Sequence, residues 1–387
     1  GLNKDGTKLP YNFGINDARR ADAYEKVQAA RAQLENGQWG GTGIVPYGNQ
    51  DAMGTYQNFG EIKMYSRGWT ITAATRAGSF TSGGVTYERE YFVNYPYNVM
   101  VLRLSADREA SVSFDLGVNS SYQTGNTIAA SVAANGTGVL ELDGRMPDTG
   151  SLVYEDNSRM RYDAEFRVLP QGGKVEAVKA NAEDGAATRL RITDADSVVI
   201  LMTAGTDYAN DYPAYRGEDP HEAVEARLDK AVELGYDALR SSHLEDYREL
   251  FGRVELDLNH DPEADVPTDE LLKAYRTGQY DGRALEVLLF QYGRYLLISS
   301  SRAGSLPANL QGVWNNSNTP VWSCDYHFNV NVQMCYWPAY VANLAETAQP
   351  LVEYVDSLRP SGRDSAGVFF NVKSTDTNPE NGWMLTT

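Results

Sequence analysis

The densest supply of chemically useful side chains lies between Ser301 and Pro338, SRAGSLPANLQGVWNNSNTPVWSCDYHFNVNVQMCYWP. Trp, Asn, Gln, Tyr and His crowd into this one run. Within it, His327 to Met334 alternates polar and apolar residues. In an extended chain, side chains i, i+2 and i+4 share a face. That geometry would set His327, Asn329, Asn331 and Gln333 on one side, with Phe328, Val330, Val332 and Met334 beneath them. Residues two apart do not face each other on a helix, so the pattern predicts extended backbone. A row of neutral donors and acceptors over an apolar floor suits a sugar-sized polyol, which offers many hydrogen bonds and little charge. The competing reading treats the Asn, Gly and Ser residues as turn formers and Trp314, Trp322 and Trp337 as core. A single Asn fits that reading well; the whole row favours a polar binding site.

Individual side chains divide in the same way. His327 can bind a ring hydroxyl or pack as a structural residue. Trp314, Trp322 and Trp383 can stack on the apolar face of a sugar or belong to a core. Gln311 and Asn309 either line a pocket or satisfy loop backbone. Among the nearby carboxylates, Asp325 reads either as a residue that supports the site from behind its contacts or as a turn residue, Glu346 as a cap three residues after Asn343, and Glu353 as a solvated helix position.

Helices and strands must carry this loop. From Asp281 onward, Leu285, Leu288, Leu289, Tyr292, Tyr295 and Leu296 form one helical face. Val287, Phe290, Leu297 and Ile298 widen it almost all round, which predicts burial on most sides. After the loop, Pro338 suits a first helical position, and Leu351, Val352, Val355 and Leu358 continue a helical stripe. Helix, long polar loop and helix is how a helical bundle or barrel carries a site on its connections.

Earlier in the chain, Ala21, Tyr24, Val27, Ala30 and Leu34 predict a helix, with Asp17 as its cap and Gly37 as its end, laid beside a sheet. Residues 60–215 read as short strands, among them segments 86–93, 99–104, 111–116, 139–142, 189–192 and 198–202. With turn signals such as Asn135-Gly136 between them, they predict a large antiparallel sandwich. Pro220, Val224, Leu228, Ala231 and Val232 predict a helix ended by Gly235, and a second helix runs from Tyr236 to Phe251. Val254 to Leu258 alternates like a short strand, and residues 259–269 read as a linker.

A chain of 387 residues exceeds one ordinary domain. With 34 Lys and Arg against 52 Asp and Glu, the formal charge is −18. This argues against nucleic acid and anionic membrane surfaces as partners, because both need clustered positive charge. No apolar run approaches the roughly 18 residues of a membrane span, and the residues from Gly1 onward do not read as the basic, apolar pattern of a signal peptide. Cys324 and Cys335 form no CxxC or Cys/His cluster, so no structural zinc is expected. They read as free buried thiols, with a disulfide between them as the alternative.

The segments 306–315 (LPANLQGVWN), Asp325-Tyr326-His327, Asn329-Val330-Asn331, Gln333-Met334 and Tyr336-Trp337-Pro338 together resemble glycoside hydrolase family 95. That family contains inverting α-L-fucosidases and some α-L-galactosidases. Arg89 to Phe92, Val99 to Ser105, Ala204 to Tyr208 and the residues from His243 to Val254 extend the resemblance over most of the chain. It implies an N-terminal antiparallel β-super-sandwich (residues 1–219), a helical linker (220–280) and the first part of a six-fold (α/α) barrel (281–387).

The resemblance further implies that Asn329 and Asn331 hold an attacking water, and that a downstream Asp acts as base. His327, Trp314, Gln311 and Trp383 are the expected substrate contacts, the partner is a fucosylated oligosaccharide or glycan, and no cofactor is called for. Cys335 stands where family members usually carry Asn. About 107 residues follow from Asp281, room for four or five helices of a barrel that needs about a dozen. The general acid Glu and base Asp are therefore expected beyond Thr387, with the C-terminal half of the same enzyme as a further partner. An extracytoplasmic or secreted location is expected, as is the alternative of a carbohydrate-binding fragment without hydrolysis.

Overall fold

The computed structural model describes residues 22–36, 60–66, 69–72, 78–122, 125–146, 160–179, 188–259, 266–279, 282–372, 377 and 382–385. The chain divides into two compact units. One comprises Gly1–Phe13 and Asp51–Asp246, the other Gly14–Gln50 and Tyr247–Thr387.

The first unit is a sandwich of antiparallel strands. In chain order these are β1 (Gly60–Ser66), β2 (Trp69–Thr72), β3 (Gly78–Ser82), β4 (Val85–Asn94), β5 (Val99–Ala106) and β6 (Val112–Ser120). There follow β7 (Asn126–Val132), β8 (Gly138–Arg145), β9 (Arg161–Gln171), β10 (Lys174–Lys179), β11 (Thr188–Ala195) and β12 (Ser197–Thr206). One sheet has the order β10-β11-β6-β1-β2 and the other β3-β4-β5-β12-β9-β8-β7. The alternation seen in sequence sets the layers. Phe114 and Leu116 on β6 and Leu190 and Ile192 on β11 face Leu140, Leu142, Phe166, Val168 and Ile200 of the second sheet in one core.

The second sheet is covered on its other side as well. Helix α2 (His221–Phe251) lays Val224, Leu228, Ala231 and Leu239 on Val99, Val101 and Leu201. This accounts for the apolar run at residues 99–102, resumed at Leu104 after Arg103: Leu102 and Leu104 point into the sandwich, while Val99 and Val101 point to the helix. The predicted break at Gly235 is present, because that residue has φ 76° and ψ 168° inside the run. Asn94 is fully buried and ties helix to sheet, its Nδ2 donating to the Leu239 carbonyl and to Ser242 Oγ, each at 2.7 Å.

The second unit is helical. Helix α1 (Ala23–Glu35) packs Ala23 and Val27 against Phe369 and Val368, so it lies against another helix rather than beside a sheet. The expected cap Asp17 and stop Gly37 lie outside the described residues. Helix α3 (Thr268–Arg276) is an addition to the sequence reading; nine residues give too little periodicity to detect. The strand expected at Val254–Leu258 is not found: the segment has no regular secondary structure and pairs with no strand among the described residues. Its Val254 carbonyl accepts from the side chains of Gln291 and Arg294 instead, at 3.0 and 3.4 Å.

Helix α4 (Arg283–Ser300) buries Arg294, Leu297, Ile298 and Ser300. The burial on most sides expected of it is not found: Leu289 is 71% exposed, and Leu288 and Tyr292 are exposed too. Short helices follow the long loop: α5 (Asn331–Tyr336), α6 (Pro338–Val341), α7 (Gln349–Ser357) and α8 (Arg359–Phe370). Pro338 stands at the first position of α6, as expected.

Candidate functional site

The strand predicted at His327–Met334 does not form. Residues 328–330 make a turn, and the helix α5 starts at Asn331. The pattern of burial gives the reason. Val332, Tyr336 and Ala339 are buried, at spacings of four and three, whereas Val330 and Met334 are exposed. An alternating floor would bury all three of Val330, Val332 and Met334, so the helical period wins. The Val332 N–H donates to the His327 carbonyl at 3.1 Å and the Met334 N–H to the Val330 carbonyl at 3.0 Å.

The polar row is therefore split between turn and helix. Asn329 is exposed in the turn, and its Oδ1 accepts the Val330 N–H at 2.9 Å. Asn331 opens α5 and is half-buried. Gln333 turns back, donating through Nε2 to the Phe328 carbonyl at 2.7 Å. Alternation survives only from Tyr326 to Phe328. Both of those rings pack on Tyr354, at centroid distances of 4.6 and 6.2 Å, and His327 between them contacts Asp325 and Trp322 instead.

A chain of buried hydrogen bonds holds the loop in front of α5. The Ala308 N–H donates to the Tyr336 hydroxyl at 2.7 Å. That hydroxyl lies 2.7 Å from Ser301 Oγ, which donates to the Thr347 carbonyl at 2.8 Å. With Ser301 committed as donor, the phenol proton goes to Ser301 Oγ and every polar atom in the chain is satisfied. Burial pushes the Tyr336 phenol up from its ordinary pKa. Beside it, Tyr326 donates to the Pro307 carbonyl at 2.9 Å. Sequence reading left Tyr336 without a role, since a lone Tyr in a motif gives no sign of the loop it will tether.

Asn309 resolves as backbone support. It is buried, and its Oδ1 accepts the Gln311 N–H at 2.9 Å and the Cys324 thiol at 3.3 Å. The side chain of Gln311 is exposed. Trp314 is exposed as well, with its ring folded over Gly312. A Cβ at Gly312 would stand 2.7 Å from that ring, and the φ of 69° also requires glycine. Trp383 is half-buried in a separate segment and packs on Gly362 of α8. Trp322 is 73% exposed, on a left-handed run in which Trp322, Ser323 and Cys324 have φ of 56°, 57° and 52°.

The three nearby carboxylates are all engaged. Asp325 Oδ1 lies 2.9 Å from His327 Nε2. Burial raises the Asp325 carboxyl above its ordinary value, with His327 opposing. Glu346 does not cap a helix with Asn343, which takes a left-handed φ of 56°. It pairs instead with Arg253 at 2.6 Å, and a backbone N–H together with that guanidinium holds its carboxyl below the usual range. Glu353 is exposed and accepts from Gln349 at 2.8 Å. Cys324 and Cys335 are free thiols, both pushed up by burial, with Cys335 against the core beneath α5.

The sandwich unit has a concavity of its own, about 580 Å³, in which Glu141, Asp143, Asp163, Glu218, Asp219 and Glu222 surround His221. Asp143 stands directly opposite Asp163 on adjacent strands, and Glu141 opposite Glu165. Like charges so placed repel. His221 Nδ1 answers Asp163 Oδ2 at 2.7 Å, and Arg167 answers Glu165. Among the described residues, no group of three or more His, Cys, Asp or Glu is arranged to hold a metal ion.

Comparison with known proteins finds two family domains along the chain. Residues 235–387 match the glycosyl hydrolase family 95 catalytic domain, and residues 14–211 match the glycosyl hydrolase family 65 N-terminal domain. A probable alpha-fucosidase A of Aspergillus niger is 32% identical over 335 residues, covering 84% of this chain and 39% of the relative. Alpha-L-fucosidase 2 of Arabidopsis thaliana is 30% identical over 322 residues, covering 79% and 37%. A probable alpha-fucosidase A of Aspergillus oryzae is 29% identical over 395 residues, covering 95% and 52%. The chain thus spans about half, or less, of the length of these relatives.

Proposed function

We propose that this chain, which belongs to glycoside hydrolase family 95, is part of a glycosidase that removes terminal α-L-fucose from glycans with inversion. The observation that carries this reading is the loop ahead of α5. It carries the exposed ring of Trp322, the imidazole of His327 and the amide of Asn329, and Asn331 opens the helix that follows, four uncharged groups within ten residues that suit the hydroxyls and apolar face of a deoxysugar. Relatives named as fucosidases supply the sugar.

Inverting hydrolysis needs one carboxylic acid on the leaving oxygen and a base acting on water across the ring, with the two carboxyls roughly 6.5–9.5 Å apart. An Asn amide cannot take that proton, but its oxygen can accept a hydrogen bond from water and align it for attack. We assign this role to Asn329 and Asn331, and sugar contacts to His327, Trp314, Gln311 and Trp383. The domain reading of 1–219, 220–280 and 281–387, the last as the first part of an (α/α) barrel, belongs with this proposal, as does an extracytoplasmic or secreted location.

Proton transfer falls to other carboxylates. Asp325, Glu346 and Glu353 are each already held by a partner. That observation also favours a second reading, in which these 387 residues bind fucosylated glycans without cleaving them.

The test uses aryl α-L-fucoside and aryl α-L-galactoside with the full-length enzyme and with this chain. The full-length enzyme is expected to release β-L-fucose first, seen by NMR of the anomeric proton. Asn329→Ala and Asn331→Ala should each lower its turnover by about 10²-fold or more while the fold persists. Unchanged turnover in both variants overturns the water-holding role. Preference for the galactoside would move the specificity to L-galactose. Calorimetric binding of fucosylated glycan by this chain, with no hydrolysis, selects the binding reading for the chain alone.

A further inference from the structure

We propose that Asp325 is a positioning residue which commits His327 Nε2 as a donor and so leaves Nδ1 as the nitrogen offered to a bound sugar. The proposal rests on the reading of this loop as a sugar site.

Three observations meet at the imidazole. His327 Nε2 lies 3.3 Å from the Trp322 carbonyl oxygen in hydrogen-bonding geometry. A carbonyl can only accept, so Nε2 carries the hydrogen. Asp325 Oδ1 stands 2.9 Å from the same nitrogen. That oxygen is shut off from solvent and makes no hydrogen bond among the described residues. The carboxylate acts through charge, since a negative oxygen beside Nε2 favours a hydrogen there and disfavours a lone pair. In the neutral ring Nδ1 is then an acceptor, which suits a sugar hydroxyl acting as donor.

The backbone supports the same arrangement. Trp322, Ser323 and Cys324 all take left-handed φ values, and none is glycine. Such residues persist only where their surroundings over-determine them. Here the Leu310 N–H donates to the Asp325 carbonyl at 3.2 Å, and Cys324 Sγ donates to the buried Asn309. The turn aims the Trp322 carbonyl at the imidazole and sets the Trp322 ring perpendicular to it, with centroids 6.1 Å apart. Asp325 thus closes a small frame around one nitrogen, two residues before the ring it orients. Asp-x-His spacing on extended backbone is the signal that the sequence offered for it.

The experiment is long-range ¹H–¹⁵N NMR of the imidazoles in the full 387-residue chain. Only four histidines are present, and His327→Gln identifies the signal by its loss. The wild-type chain is expected to show His327 protonated at Nε2, with a slowly exchanging N–H. In Asp325→Ala that N–H should broaden into solvent exchange. In Asp325→Asn, where the amide can donate to Nε2, the hydrogen should move to Nδ1. The Kd for L-fucose should rise about tenfold in both variants.

A wild-type ring protonated at Nδ1 overturns the proposal. So does an Nε2–H signal unchanged in both variants, even if stability falls, because that marks Asp325 as a turn residue only. Should the alanine variant fail to fold, the asparagine variant decides alone. If L-fucose moves no His327 signal in the wild type, the sugar-site reading fails, and the N–H signals still settle what Asp325 does to the ring.

Discussion

Tyr336 and Arg294 show how single side chains hold the loop and its base in place. Tyr336→Phe keeps the ring and removes one oxygen, leaving the buried Ala308 N–H without its acceptor. Orphaning such a group costs about 1–3 kcal/mol, which urea unfolding of the variant would read as a lower midpoint with unchanged slope. Arg294 is 2% exposed and spends its donors on the carbonyls of Leu250, Phe251 and Ala342 and on Gln291 Oε1. Two of those carbonyls belong to the last turn of α2, where a cation also suits the helix dipole. Burial lowers the guanidinium pKa, and the oxygens around it offset the cost of enclosure. Arg294→Met leaves several buried acceptors unmet and should cost about 3 kcal/mol or more. Arg294→Lys, with a single point of donation, should recover only part of that loss. Equal stability of Arg294→Met and wild type would show that water replaces the guanidinium.

Among the elements, Gly235 offers a clean test of backbone geometry. Its φ and ψ lie in a region that only glycine occupies comfortably, and an added Cβ there would meet nothing within 4 Å. The cost of Gly235→Ala is therefore conformational, about 1–3 kcal/mol, and contains no steric clash. Thermal unfolding of the variant measures it; no change in midpoint would mean that the helix straightens through the site without penalty. This glycine was visible in the sequence because a helical stripe stops at it and another resumes.

The strands were legible for a similar reason. Each core position on β6, β8 and β11 alternates with a polar neighbour, whereas the apolar residues of segment 99–104 divide between two covered faces that only the structure separates. At His327–Met334 the same rule misled. The alternation is real in composition, but only Val332 of its inner set is buried, and the next buried positions are Tyr336 and Ala339. A window extended to Ala339 would have shown the helical spacing. The acidic concavity of the sandwich escaped for another reason: its carboxylates come from strands and a helix start far apart in sequence, and only register brings them together.

Across the sandwich as a whole, two histidines pull stability in opposite directions with pH. Asp163 and, less so, Glu225 raise His221 above its ordinary value of about 6.5. A raised value means the folded state holds the proton more tightly, so this stabilisation is complete below the unfolded value and fades as pH climbs through the folded one. Burial against Phe92 lowers His243. Its folded form resists protonation, so stability grows as pH rises from the depressed value to the ordinary one. Together they predict a maximum near the ordinary histidine pKa. His221→Gln should remove the fall on the alkaline side, and His243→Gln the rise on the acid side. The readout is the thermal midpoint of the sandwich from pH 5 to 8. A profile unaltered by either change would show that the carboxylates alone set the pH response. His221 is half-exposed, so its share will shrink in high salt.

Because β5 and β12 sit at the middle of their sheet with an apolar layer on each side, their peptide protons have no route to deuterium short of prising the sandwich open. Strand β3 sits at the rim of that sheet with nearly every side chain in water, and its protons should wash out early. In heavy water the sheet would lose its memory of hydrogen from the rim inward, and the last signals to fade, those from Val101 to Leu104 and from Val198 to Leu201, would time the opening of the whole unit.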